Sequence, residues 1–325
     1  MKRIHYKYII LAPSYSPNSG GGIVLHKLCD MLNSKGERAW ICPMVFWNYF
    51  LSSDNAIKTI IKRIFHPIYT LRAFKRLVYL CRNCETNSFW NTPVVNPFKL
   101  FFNFGLSDYI VVYPELLSGN ILGAKNVVRY LLHNPGHFTG RVGYGTGELY
   151  FRYSNSFARD FKPAEGSRIS PHVITISTTP EYYNMQDVAA KREGIAYMVR
   201  KGKGKTMVHD VNHSIFLDGK SHEEVAAVLK RVETFISYDP ITGYSIFALL
   251  CGCKSVIILG EGETPETYHP DLEMRRMFAY SLDDTHVNLQ EAIKWAEDRS
   301  KNQMEVSNKA VEIFISESQQ FFQDR

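Results

Sequence analysis

Two segments of the chain combine glycine with groups that suit an anion. Ser19-Gly20-Gly21-Gly22 stands between a short apolar run and a helical pattern. Glycines there let the backbone approach a ligand, and the helix N-terminus behind them favours negative charge. The dinucleotide fingerprint G-x-G-x-x-G is not met, because Leu25 stands where the third glycine belongs. A nicotinamide or flavin site is disfavoured, leaving a ligand-facing loop or a plain tight turn. The second segment is Arg200-Lys201-Gly202-Lys203-Gly204-Lys205-Thr206. It looks like a phosphate loop, but Val199 stands where the P-loop pattern needs glycine. What remains is a set of cations on a glycine-flexed loop at a strand's carboxyl end. Arg forks and Lys point charges complement the oxygens of a diphosphate. A solvated basic loop is the alternative.

Tyr238-Asp239-Pro240-Ile241-Thr242-Gly243-Tyr244-Ser245 leads into a helical pattern. Thr242 or Ser245 is placed to cap that helix, whose N–H groups and dipole would then face a phosphate. Asp239 would accept from a sugar or ribose hydroxyl, or cap the turn. Tyr113-Pro114-Glu115 and His133-Asn134-Pro135-Gly136 end two further strands. Open α/β sheets bind ligands at such ends, so Glu115 and His133 are candidates for acid–base work or hydroxyl binding. A backbone-satisfied histidine is the ordinary alternative for His133. Residues 55–82 hold seven Lys or Arg and no Asp or Glu, interleaved with apolar residues such as Ile57, Ile60, Ile61, Ile64 and Ile68. That pattern suits an interfacial helix on an anionic membrane, or a solvated helix face over the first domain. Nucleic-acid recognition is disfavoured, since no recognition motif accompanies the charge.

The elements that must position these groups alternate. Tyr8–Ala12 reads as a strand buried on both faces, followed by a helix from Ile23 to near Gly36 and a strand over Ala39–Val45. Residues 55–82 read as basic amphipathic helices broken at Pro67. Asp108–Tyr113, Val127–Leu132 and 172–176 read as strands, with 86–105 and 137–150 as loops. A second unit follows, with strands at Ala196–Val199, Phe235–Tyr238 and Lys254–Leu259. Ser221 and Glu224 form a capping box, Ile246–Cys251 is helical, and helices over 288–299 and 304–323 follow. The order implies parallel α/β sheets. We expect domains at 1–190 and 191–300, with a helix over 301–325 packing back on the first.

Bulk properties agree. The 325 residues suit two domains, and 45% hydrophobic with 22% charged residues is ordinary for a globular protein. The net charge of +6 is mildly favourable to phosphates or anionic lipid. Cys81-x-x-Cys84 lacks a second ligand pair, so the six cysteines read as structural thiols rather than metal ligands. The opening MKRIHYKYIILAPSYS reads as a first strand and not as a secretory signal. No run of eighteen apolar residues offers a membrane span.

Taken together, four stretches resemble GT-B glycosyltransferases of bacterial lipopolysaccharide and capsule clusters. They are SPNSGGGIVLHKLCDMLNSKG, YPELLSGNILGAKNVVRYLLHNPG, YGTGELYF from Tyr144 to Phe151, and SYDPITGYSIFALLCGCKSVII. The resemblance implies two Rossmann-like domains facing a cleft, the second binding a UDP- or GDP-linked sugar and the first the acceptor. From the motifs above we expect donor contacts from Gly20, Gly21, Gly22, Arg200, Lys201, Lys203, Thr242, Gly243 and Ser245. Acceptor contacts would come from Asn120, Arg129 and Glu148, and catalysis from Glu115, His133 and Asp239. The chain departs from the E-x7-E donor pattern of retaining members: Asp239 has no second carboxylate before Cys251. No D-x-D occurs, so cations of the basic loop would neutralise the leaving diphosphate without a metal. The expected protein is a cytoplasmic hexosyltransferase, peripheral on the inner membrane, acting on a glycan or lipid-linked glycan and needing no cofactor. Its rival is a peripheral membrane scaffold or a non-catalytic nucleotide-binding protein.

Overall fold

The computed structural model describes residues 5–44, 56–103 and 106–325. Val45, Asn55 and the pair Phe104-Gly105, assigned from sequence to strand, helix and loop, lie outside the described residues. The chain divides into two compact units, Met1–Ser177 with Glu305–Arg325, and Thr178–Met304. Sequence had set the dividing line at 190/191 and a separate segment at 301–325.

The first unit is built on a six-stranded sheet of β1 (Lys7–Ala12), β2 (Ala39–Pro43), β3 (Tyr109–Pro114), β4 (Asn126–Leu131), β5 (Leu149–Arg152) and β6 (Arg168–Val173). The strands run parallel in the order β2-β1-β3-β4-β5-β6. The helices are α1 (Gly20–Ser34), α2 (Ala56–Phe65), α3 (Pro67–Arg82) and α4 (Pro97–Phe102). Both faces of the sheet are covered, which is why Tyr8–Ala12 of β1 and all of β3 are apolar runs and why every residue of β4 is buried. Tyr8, Ile10 and Ala12 face a core with Leu25 and Leu28 of α1 and with Phe314. Ile9 and Leu11 face the opposite core, with Leu77 and Cys81 of α3 and Leu100 of α4. The sheet reverses its direction of growth between β1 and β3.

In the second unit β7 (Ile195–Met198), β8 (Ser214–Phe216), β9 (Thr234–Ser237) and β10 (Lys254–Ile257) form a parallel sheet in the order β10-β9-β7-β8. Its reversal lies between β7 and β9. The helices are α5 (His222–Leu229), α6 (Tyr244–Leu250), α7 (Pro265–Tyr268), α8 (Leu272–Arg276) and α9 (Leu289–Gln323). The capping box forms: the Glu224 N–H donates to Ser221 Oγ at 3.2 Å, and the Ser221 N–H to Glu224 Oε2 at 2.8 Å. β8 escaped the sequence because its three residues lie at an edge with Ile215 and Phe216 exposed, leaving no buried run to read.

The two helices expected after residue 288 are one helix of 35 residues. Ala292 and Ala296 enter the core of the second unit, while Val311, Phe314 and Phe322 enter that of the first. Its far end is pinned to β1: Gln319 exchanges two hydrogen bonds of 3.0 Å with the Tyr6 backbone, and Tyr8 Oη meets Ser318 at 3.0 Å.

His269 closes α7 inside the second unit, packed on Phe278 and within 3.0 Å of the Tyr280 hydroxyl. Burial, helped by Arg275, lowers its pKa from 6.5 to about 4. The unfolded chain therefore binds the extra proton between these values, and stability must fall as pH drops from about 6.5 to 4. The contribution at neutral pH is roughly 2–3 kcal/mol. His26, lowered by burial in the first unit, acts in the same direction. Melting curves between pH 7 and 4.5 should show this loss, and His269→Gln should flatten it. An unchanged pH slope in the variant would refute the assignment.

Candidate functional site

Ligands of open parallel sheets sit at the carboxyl ends of the strands flanking the order reversal. Each unit has one such place, and most of the sequence-derived candidates lie at one or the other.

In the first unit the glycines are not a loop. Gly20, Gly21 and Gly22 form the first turn of α1, and Ser19 is the N-cap, its Oγ accepting from the Gly22 N–H at 3.3 Å. The helix begins three residues earlier than its apolar spacing indicated, because a serine cap offsets the poor helix propensity of glycine. Gly20 and Gly21 are exposed, and a Cβ on Gly20 would meet nothing within 4 Å. A Cβ on Gly21 would come within 3.5 Å of Leu132, so the open turn of α1 lies against the end of β4. Glu115, buried just beyond β3, reaches the same place: its Oε2 accepts from the Leu132 N–H at 3.0 Å. The Tyr144 hydroxyl donates to the Glu115 carbonyl at 2.7 Å. His133 follows, buried, with its ring 4.0 Å from His137 and 5.0 Å from Phe157. Its Nδ1 accepts from the Asn134 N–H at 2.8 Å, so the neutral ring carries its proton on Nε2. Glu115 and His133 thus flank one backbone step at the mouth of the sheet.

The expected acceptor contacts are corrected here. Arg129 is fully buried at 0% exposure, and Glu148 at 2%. Arg129 Nε and Nη2 donate to the two Glu148 oxygens at 2.8 Å each. Nη1 and Nη2 also donate to the Leu117 and Gly119 carbonyls at 2.6 and 2.7 Å. The guanidinium lies 4.8 Å from the Tyr113 ring and 4.7 Å from the Tyr144 ring. A pair enclosed in this way has no surface for a saccharide; it fixes the loop that carries Glu115. Asn120 closes the same loop, accepting from Tyr113 Oη at 3.0 Å and from the Ala124 N–H at 2.9 Å, and donating to the Ala124 carbonyl at 2.7 Å.

In the second unit the basic loop leaves β7 and meets the turn that leaves β9. The Gly202 N–H donates to the Val199 carbonyl at 2.7 Å, closing a tight turn. A Cβ on Gly202 would lie 2.0 Å from the Tyr238 carbonyl oxygen, so only glycine fits under that backbone. Arg200 takes a left-handed φ of 43°, held by its N–H donating to Asp218 Oδ2 at 2.7 Å. Its guanidinium lies 4.0 Å from Asp239 Oδ2 and 5.0 Å over the Tyr244 ring. Lys201 and Lys203 are exposed, whereas Lys205 turns inward to the Ile258 carbonyl at 2.8 Å and to Glu263 at 3.3 Å.

Asp239 is buried, its Oδ1 accepting from the Ile241 N–H at 3.2 Å. Neither Thr242 nor Ser245 caps α6. Its N-cap is Gly243, without a side-chain hydrogen bond, and Thr242 Oγ1 accepts instead from the Tyr244 N–H at 3.4 Å. Ser245 lies inside the helix, and its buried Oγ has no hydrogen-bond partner among the described residues. A buried hydroxyl of this kind, in the first turn of the helix whose Tyr244 lies under Arg200, suits an oxygen-rich ligand.

Sequence reading missed Asp218 and Tyr244, which orient Arg200. Asp218 sits in a Leu-Asp-Gly turn after β8, and the turn was the only available signal. Among the described residues no cluster of His, Cys, Asp and Glu is arranged to hold a metal ion, and no helix is long and apolar enough to cross a membrane.

No family model matches the chain, and no curated protein matches it in sequence. Among solved structures the chain is similar to the glycosyltransferase SnogD from Streptomyces nogalater. The identity is 13% and the TM-score 0.41, over 95% of this chain and 99% of that one. It is also similar to the spinosyn rhamnosyltransferase SpnG at 10% identity and a TM-score of 0.35, over 97% of this chain and 96% of that one. MurG of Acinetobacter baumannii gives 10% and 0.35, over 98% of this chain and all of that one, 100%.

Proposed function

We propose that the protein is a GT-B glycosyltransferase that holds a nucleoside-diphosphate sugar on its second unit and glycosylates an acceptor held by its first. One observation carries the reading. At the strand-order reversal of the second sheet, the Arg200–Lys205 loop is locked against the Tyr238–Asp239 turn, with Gly202 beneath the Tyr238 carbonyl. A glycine-tightened backbone that carries Arg200, Lys201 and Lys203 at that position supports the reading, because such sheets take phosphates there.

The chemistry follows from charge. Departure of the diphosphate builds negative charge on its oxygens, and preorganised cations stabilise that charge most when they need not move. Arg200, Lys201 and Lys203 supply it, with Arg200 oriented by Asp218, Asp239 and Tyr244. Since the sequence has no D-x-D, transfer is proposed to be metal-independent. Asp239 is the group to accept from a sugar or ribose hydroxyl, and the Ser245 hydroxyl is the group for a phosphate or sugar oxygen. On the first unit, Glu115 is the group to take a proton from an acceptor hydroxyl, with His133 beside it as a hydrogen-bonding partner. The open first turn of α1 offers Gly20 and Gly21 N–H groups and the positive end of a 15-residue helix to an anion. The sequence resemblance supports a saccharide acceptor in bacterial surface polysaccharide assembly.

The test is a panel of UDP- and GDP-sugars scored by protection against heat, followed by turnover with the protecting donor. Lys201→Ala with Lys203→Ala should lower donor affinity roughly a hundredfold to ten-thousandfold, two charge-assisted contacts being worth about 1.5–3 kcal/mol each. Unchanged affinity and rate would remove the basic loop from the site. Protection without any turnover would leave a nucleotide-binding protein.

A further inference from the structure

Helix α2, which meets α3 at His66, turns its apolar stripe outward. Ile57, Ile60, Ile61 and Ile64 recur at helical spacing along α2, the pattern by which a helix ordinarily meets a core. Here Ile64 is 67% exposed, and Phe65, Ile68 and Tyr69 at the corner are 75%, 65% and 65% exposed. Phe98 and Phe102 of α4 add exposed rings; Phe98 lies 5.0 Å from Phe74 of α3. A contiguous apolar patch of this kind is rare on a surface that meets only water.

The charge around it is one-sided. Lys58, Lys62, Arg72, Lys75, Arg76 and Arg82 are all exposed, and no acidic residue occurs from residue 55 to 82. Arg63 is the exception among the cations: it turns in, donating to the Phe101 carbonyl at 2.6 Å. A protein partner with an apolar face would need only the isoleucines and aromatics. A second copy of this face would bring six exposed cations against six. An anionic bilayer satisfies both halves of the pattern, apolar rings entering the acyl boundary while lysine and arginine meet lipid phosphates.

We infer that α2 and α3, with α4 beside them, form a membrane-docking surface that selects anionic lipid. The inference goes beyond the transfer reading and does not depend on it, since docking is measured without substrate.

The experiment is sedimentation of the full chain with vesicles of phosphatidylglycerol and phosphatidylcholine, against vesicles of phosphatidylcholine alone. The protein should pellet with the first and not the second, and high salt should release it. Lys62→Ala with Lys75→Ala should weaken partition roughly thirtyfold, at about 1 kcal/mol per cation. Phe65→Ser with Ile68→Ser should abolish it, with the melting temperature unchanged because both side chains are already exposed. Equal binding to both vesicle types, or to neither, would overturn the inference. So would a wild-type dimer that Phe65→Ser with Ile68→Ser dissolves, which would assign the face to a second copy of the chain.

Discussion

Arg129→Ala is expected to destabilise the first unit by about 3–5 kcal/mol, the loss typical of breaking a buried ion pair from one side. The substitution leaves Glu148 charged and enclosed, and it strips the Leu117 and Gly119 carbonyls of their donors. Each orphaned carbonyl adds about 1–3 kcal/mol if water cannot reach it. Tyr150, whose hydroxyl donates to Glu148 Oε2 at 3.0 Å, cannot neutralise the carboxylate alone. The check is thermal or urea denaturation, and a melting temperature roughly 10 °C lower is expected. The double variant Arg129→Met with Glu148→Leu separates charge from packing. It should recover most of the stability, because apolar pairs often replace buried ion pairs at little loss. It should still loosen the loop holding Glu115, and turnover should stay low. Full activity in a stable double variant would show that Arg129 does not position that loop.

The second large effect is predicted at Gly202. In Gly202→Ala the added methyl would sit 2.0 Å from the Tyr238 oxygen, 2.4 Å from its carbonyl carbon and 2.8 Å from its Cβ. Two of these are backbone atoms of the segment that ends β9, so no side-chain rotation relieves the clash and the basic loop must lift away. Displacement by about 1 Å is enough to lower turnover on the order of a hundredfold. Calorimetric titration with UDP and GDP, together with the transfer rate, measures it. The Lys201 and Lys203 charges remain in this variant, so the comparison with their alanine substitutions separates placement from charge. Wild-type affinity and rate in Gly202→Ala would show that the locked loop does not hold the ligand.

The buried strands were legible because parallel sheets covered on both faces write themselves as apolar runs. Tyr8–Ala12 and Asp108–Tyr113 needed no long-range information for that reason. The Ser221 capping box was equally local. What could not be read depends on partners distant in the chain. In sequence Arg129 is a lone charge within a strand. Only the fold brings Glu148 against it and Tyr113 and Tyr144 to either side. The position of Gly202 in a basic loop was visible, but the Tyr238 carbonyl above it was not. The three glycines of α1 read as a loop because propensity disfavours helix there, and a single cap reversed the outcome. Asp218 had no signature beyond its turn, although it sets the conformation of Arg200.

Helix α9 has a consequence for how the molecule is made. Translation delivers β1 to β6 first, then all of Thr178–Met304, and only afterwards Val311 and Phe314. Until then the Tyr8, Tyr130 and Phe151 side of the sheet has α1 but lacks Val311, Phe314 and Phe322, and a ribosome-bound intermediate carries a half-covered aromatic surface through synthesis of an entire second unit. The N-terminal sheet is thus the earliest to be synthesised and among the last to be completed, which makes that interval the one in which a holdase chaperone has most to protect.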